Sequence, residues 1–347
     1  MSRLFRNFFR KIALQLKCNF SNTSLNVALR KAQADMACCK PDTLNIKRFA
    51  DYGKKQISPL IYALFFCLAI GSFYACNDSN TDSGERPEVG ISQDSVVRRI
   101  AIPSILMGKV FNANVILPES YFLDSNLTFY PVVYLLHGHS GNYDNWYARV
   151  PRLREWANTY EMIIVNPDGN YNSWYLNSYQ DSSSMFYSYI SQEVPAYIDA
   201  HFRTYQDARY RAISGLSMGG HGALSIGLQH PDWFGIAGSM SGVVDLRKHT
   251  GQWEIDQHLG PYEADTLRWE AHSVVQLASQ IREAPHLIID CGTDDALLEE
   301  NQALHQLLQE RQVPHTYIER PGSHDWLYWE EAIEFQLLYF ARLFAEG

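Results

Sequence analysis

A serine, a carboxylate and a histidine following one another along a chain can carry out acyl transfer if the fold gathers them at one point. In the stretch "RYRAISGLSMGGHGALS" (residues 209–225), Gly215-Leu216-Ser217-Met218-Gly219 fits the pattern G-x-S-x-G. A short apolar run precedes it and small helix-forming residues follow. That is the pattern of a strand turning sharply into a helix. A serine on such a turn is crowded, and glycine two positions before and after removes the side chains that would clash. The turn lifts the Ser217 hydroxyl above the sheet, while the new helix aims its positive N-terminal end at the same place.

A serine hydroxyl is a poor nucleophile until a base takes its proton, and the base needs a carboxylate to hold its tautomer. On this architecture the chain order is serine, acid, histidine. The strand "HLIID" is followed by "CGTDDALLEEN", which offers Asp294 and Asp295 at its carboxyl end. The next strand, "HTYIER", leads into "PGSHDW", which offers His324 just before the last helix. The residues between Asp295 and His324 make room for one helix and one strand, so the two loops can lie side by side. Charge developing on a carbonyl oxygen would be met by two backbone N–H groups. One is Met218, directly after the nucleophile. The other is His139, in "HGHSGNYDNW" after the run "PVVYLL". His137 and His139 sit two apart at a strand end, but the downstream Gly141 and Asn142 are not the ligands a dinuclear metal loop would need, so a metal site is not expected. Nothing in the pattern requires a metal or a cofactor. Cys291 lies on an apolar strand and reads as a buried structural thiol.

The elements that must position these groups alternate. "SVVRRIAI" (95–102) and "KVFNANVIL" (109–117) read as an opening antiparallel strand pair. Continuous apolar runs at 131–136, 161–167, 210–214 and 286–292 read as strands buried on both faces. Helical patterns fall at 151–160, 183–201, 218–230, 295–312 and 325–345, and residues 243–284 form a less regular insertion over the sheet's carboxyl edge. The expected class is α/β: a mostly parallel central sheet with helices on both faces.

The 347-residue chain has a net charge of −9, unevenly spread. Residues 1–76 hold 12 Lys and Arg against three acids, whereas the remainder holds 17 against 35. A body this acidic repels phosphate backbones, which argues against a nucleic-acid partner. Five of the six cysteines precede residue 77, so no disulfide is expected within the body. Residues 57–75 ("ISPLIYALFFCLAIGSFYA") form an uncharged apolar run behind Lys54 and Lys55. With Cys76 after Ala75, the segment reads as a lipoprotein-type signal, lipidated at Cys76, or as an uncleaved anchor helix. Residues 1–50 are too long for the basic flank of such a signal and read as the product of an upstream start site. The expected division is residues 1–76 as extension and signal, 77–91 as a flexible tether, and 92–347 as the catalytic body. The expected location is the cell envelope, periplasmic or on the outer membrane, with membrane contact only through this leader.

From about residue 92 the chain resembles the esterase D-like branch of the α/β-hydrolases. The resemblance rests on "YPVVYLLHGHSGNYDNW", "GLSMGGHGAL", "HPDWFGIAGSMSG", "CGTDDALLEEN" and "PGSHDWLYW". That branch includes S-formylglutathione hydrolases, carboxylesterases, feruloyl and acetyl-xylan esterases, and mycolyltransferases. The resemblance implies the α/β-hydrolase fold, hydrolysis of carboxylic esters without a cofactor, and a triad of Ser217, Asp295 and His324, with Asp294 the alternative acid. It also points to "NPDGNYNSWYLNS" (166–178) as a pocket wall, with Trp174 and Tyr175 as contacts. Together with the leader, it favours an envelope enzyme acting on acylated glycans or small esters. Two other readings stay open: an acyltransferase with a sugar acceptor, and a surface glycan-binding lipoprotein without catalysis.

Overall fold

The computed structural model describes residues 96–123 and 128–347. The chain separates into residues 1–84 and 85–347, and all that follows concerns the second unit. The leader, Cys76 and the tether lie outside the described residues.

Among the described residues, eight strands form one sheet: β1 (Val97–Ser104), β2 (Lys109–Ile116), β3 (Val132–Leu136), β4 (Ile163–Pro167), β5 (Arg211–Gly215), β6 (Ile236–Met240), β7 (His286–Gly292) and β8 (His315–Arg320). Their order is β1-β2-β4-β3-β5-β6-β7-β8. β1 pairs antiparallel with β2, and β2 with β4, while every later pairing is parallel. Chain order reverses around β3, so a crevice opens beyond the carboxyl ends of β3 and β5, where open α/β sheets place their ligands.

The apolar runs are continuous because both faces of the sheet are covered. Val132, Tyr134 and Leu136 of β3 enter one core, and Val133 and Leu135 enter the other. The first core is closed by helices Val194–His201, Met218–Gln229, Val274–Gln280 and Leu298–Glu310; the second by Leu153–Thr159 and the C-terminal helix Trp326–Glu346. At about 25 cal/mol per Å2 of apolar surface removed from water, these two layers are the main term holding the sheet together.

Two expectations are refined. The strand β6 carries no clear sequence signal, because "IAGSM" has a glycine and a serine where a strand former is usual. The reason is space: a Cβ at Gly238 would meet the Gln336 side chain and, at 2.7 Å, Ser214 Oγ. The single helix expected over 183–201 is instead a short turn at Phe186–Ser188, a π-helical turn at Tyr189–Glu193, and then Val194–His201. Pro195 sits at the junction, where it can give no N–H to the turn before it. The insertion between β6 and β7 is made of short helical pieces from Leu246 to Gln280.

Candidate active site

Ser217 follows β5 and precedes the helix Met218–Gln229, with φ 54° and ψ −118°, a backbone conformation that non-glycine residues seldom adopt. The flanking glycines explain how the turn closes. A Cβ at Gly215 would come within 2.6 Å of the Gly219 carbonyl group, and one at Gly219 would collide with the Leu136 and His137 carbonyl oxygens. The elbow is tied to β6 by the Ser217 N–H donating to the Met240 carbonyl at 2.9 Å.

Three side chains far apart in sequence meet here. His324 Nε2 lies 3.0 Å from Ser217 Oγ, and His324 Nδ1 lies 2.9 Å from Asp295 Oδ2. With Nδ1–H donating to the carboxylate, Nε2 is left to accept the serine proton. Asp295 is buried, and its other oxygen accepts from the Leu297 N–H at 2.9 Å. Burial alone would raise its carboxyl, but the hydrogen bond and charge of His324 and the Leu297 N–H outweigh burial and hold it below the usual carboxylate range. Asp294 is exposed, its backbone N–H bonded to the Gly322 carbonyl, and it takes no part in this chain of contacts.

Gly138 brings the loop after β3 to the serine: a Cβ placed there would lie 3.5 Å from Ser217 Cβ. Neither the Met218 nor the His139 backbone N–H donates to an acceptor within the described residues. Both remain available to an external oxygen. The two histidine rings of this loop have separate partners. His137 is buried, donates from Nδ1 to the Gly138 carbonyl at 2.9 Å, and accepts the Gly169 N–H at Nε2 at 2.8 Å. His139 Nε2 lies 3.1 Å from Glu254.

The two aromatic residues expected to touch a ligand are placed differently. Trp174 and Tyr175 both adopt φ of 54°, which turns their rings into the protein. Tyr175 is fully buried, packs against Gly169 and Gly222, and donates its hydroxyl to the His137 carbonyl at 2.9 Å. It braces the loop after β3 from behind, which corrects its expected place on the pocket wall. Trp174 is also buried, stacked against Trp253 at 6.1 Å between ring centres. The more exposed Trp253 stands in front of it.

Asp290 and Glu254 escaped the sequence reading. Asp290, buried at the end of β7, accepts from Arg320 Nη2 at 3.2 Å and from the Tyr328 hydroxyl. Arg320 precedes the His324 loop and Tyr328 follows it, so one carboxylate clamps both ends of that loop. Glu254 lies in the irregular insertion, where no periodicity marks it. Cys291 is buried, and burial pushes its thiol well above the usual range, so it is inert.

His221, one helical turn after Ser217, is buried with Nδ1 3.2 Å from the Val243 carbonyl. Burial pushes its imidazole down to about 3. Between the ordinary imidazole value and that point, the unfolded chain binds a proton that the folded chain refuses. Stability is therefore expected to fall on acidification from about pH 6.5, at a slope on the order of 1 kcal/mol per pH unit from this residue. Urea unfolding at pH 7 and pH 5 measures it; His221→Leu should show a shallower dependence, and an unchanged slope would remove His221 as its source.

A mostly parallel eight-stranded sheet with a serine on a strained strand-to-helix elbow defines the α/β-hydrolase class. The family described as putative esterase matches residues 104–340. An acetyl esterase of Caldicellulosiruptor saccharolyticus is 27% identical over 215 residues, covering 58% of this chain and 79% of that protein. Two solved structures superpose with TM-scores of 0.62: the substrate-bound fluorophosphonate-binding serine hydrolase F of Staphylococcus aureus (26% identity) and a ferulic acid esterase (27% identity). In each case 71% of this chain and 98% of the other are covered. The chain belongs to this esterase family and is a carboxylic ester hydrolase of the serine-hydrolase type.

Proposed function

We propose that this esterase works through an acyl-enzyme on Ser217, hydrolysing acetyl, aromatic or other short acyl groups from glycans or small alcohols. The observation that carries the reading is the unbroken hydrogen-bond chain from Ser217 Oγ through His324 to Asp295. In the first half-reaction His324 Nε2 takes the Ser217 proton as Oγ attacks the ester carbonyl, and the Met218 and His139 N–H groups receive the oxyanion. His324 returns the proton to the leaving alcohol. Water then enters, His324 takes its proton, and the acid departs as Oγ is reprotonated. Asp295 keeps the imidazole in the required tautomer and stabilises its charged form.

Acyl groups of this kind are suggested by the acetyl esterase and ferulic acid esterase relatives. An exported enzyme anchored at Cys76 is suggested by the apolar run and polar tail of the leader. A panel of acetylated xylo-oligosaccharides, methyl ferulate and short-chain p-nitrophenyl esters, run with and without trehalose or xylose, tests the reading. Free acid is expected as the product in every case. Acylated sugar would assign the enzyme to transfer, and failure to turn over any ester would defeat the mechanism.

A further inference from the structure

The insertion between β6 and β7 reaches over the loop that carries His139 and presents a carboxylate there. Trp253 and Glu254 are consecutive non-glycine residues with φ of 50° and 60°. Such strain persists only where surrounding contacts over-determine it. Those contacts are present. The Trp253 carbonyl accepts from Trp174 Nε1 at 2.9 Å, and the His249 ring packs 4.7 Å from the Trp253 ring. Glu254 Oε2 lies 3.1 Å from His139 Nε2 and accepts from Asn172 Nδ2 at 3.2 Å. The Glu254 side chain nevertheless remains 42% exposed, so its charge faces the space outside the loop.

Glu254 is linked to the reacting centre through one loop residue: a Cβ at Gly138 would lie 3.5 Å from Ser217 Cβ, and the ring of His139, the next residue, contacts the Glu254 carboxylate. Behind the Trp253 ring, Glu300 is buried and pairs with His249 at 3.3 Å. No lysine or arginine among the described residues is hydrogen-bonded or ion-paired to His139, Asn172, His249, Glu254 or Glu300. Arg247, close by in sequence, is held by Asp245 at 2.7 Å.

We propose that Glu254 is a specificity-determining residue that turns away esters carrying a negative charge near the scissile carbonyl, so that the site selects neutral or cationic esters. This rests on the acyl-enzyme reading above. Two like charges several ångströms apart in a partly exposed cleft repel enough to change a rate about tenfold. The fixed carboxylate acts on any anionic acyl or alcohol group that must pass it. Its two hydrogen bonds and the strained backbone keep it from swinging away.

The test uses the whole protein and two esters of nearly equal shape, p-nitrophenyl butyrate and mono-p-nitrophenyl succinate. Both esters are assayed at pH 8, in the same buffer and at matched salt. The wild type should favour butyrate in kcat/KM by at least about tenfold, with the preference shrinking as salt is added. Glu254→Gln keeps an acceptor oxygen for His139 and Asn172 and removes the charge. In that variant the butyrate-to-succinate ratio should fall about tenfold and lose its salt dependence. Glu254→Lys, carried alongside, should push the ratio further in the same direction. The readout is the ratio, so a change in absolute rate does not obscure it. A ratio that stays at the wild-type value in both variants overturns the assignment of Glu254 and leaves the esterase mechanism standing. Wild-type protein that turns over neither ester overturns the mechanism, and the proposal with it.

Discussion

Alanine at position 217 is expected to lower kcat for a p-nitrophenyl ester by about four orders of magnitude or more and to abolish covalent labelling by a fluorophosphonate. The loss is this large because, in the proposed mechanism, Oγ supplies the bond to the acyl group. The Met218 and His139 N–H groups alone can only polarise the carbonyl for attack by water. The fold should survive, since alanine keeps the Cβ that the elbow already accommodates at φ 54°. Among the described residues, the Ser217 hydroxyl makes no hydrogen bond except the one to His324. A thermal midpoint close to wild type, with KM little changed, would place the effect on the chemical step. Labelled or active alanine variant would show that another nucleophile does the work.

Exchange of Asp295 for asparagine should cost nearly as much, about four orders of magnitude in kcat. The geometry gives the reason. The Asp295 oxygen that accepts from the Leu297 N–H will be the amide oxygen of asparagine, because an amide NH2 cannot accept there. The NH2 group then faces His324 Nδ1, forcing the ring proton onto Nε2. In that tautomer Nε2 cannot take the proton of Ser217. Asp294→Asn is the paired control: its side chain is exposed and outside the relay, so less than about a threefold change in kcat is expected. Steady-state kinetics on the same ester compares the two. A large loss at 294 with a small one at 295 would reverse the assignment of the acid.

Much of the molecule can be read from its residues because the relevant signals are local. Val132 to Leu136 announce a doubly covered strand through five consecutive apolar side chains, and all five are buried. Gly215 and Gly219 announce the elbow because no other residue fits between Leu136, His137 and the new helix. Ser217, the Asp294-Asp295 pair and His324 each sit directly after a strand, where chain order and loop position are visible without coordinates. β6 was hidden because its residues are chosen for the thinness that Gln336 and Ser214 demand, not for strand propensity.

The choice between Asp294 and Asp295 illustrates the boundary. Both are aspartates in one loop, and the residues alone leave them as alternatives until a family likeness is invoked. The Gly322 carbonyl takes the backbone of one, leaving its side chain outside, while the other is buried against His324. Likewise "SWYLN" reads as an aromatic pocket wall, but positive φ at Trp174 and Tyr175 turns both rings inward and makes Tyr175 a brace. Glu254 carries no sequence signal, since its importance lies in partners 115 and 82 positions away. The sequence by itself therefore determined most strands of the sheet, the elbow and the residue types that meet at it, because backbone pattern and chain order are local properties. Only the tertiary structure decided which carboxylate is hydrogen-bonded to His324 and which aromatic rings are buried, because those depend on contacts between loops that the chain keeps far apart.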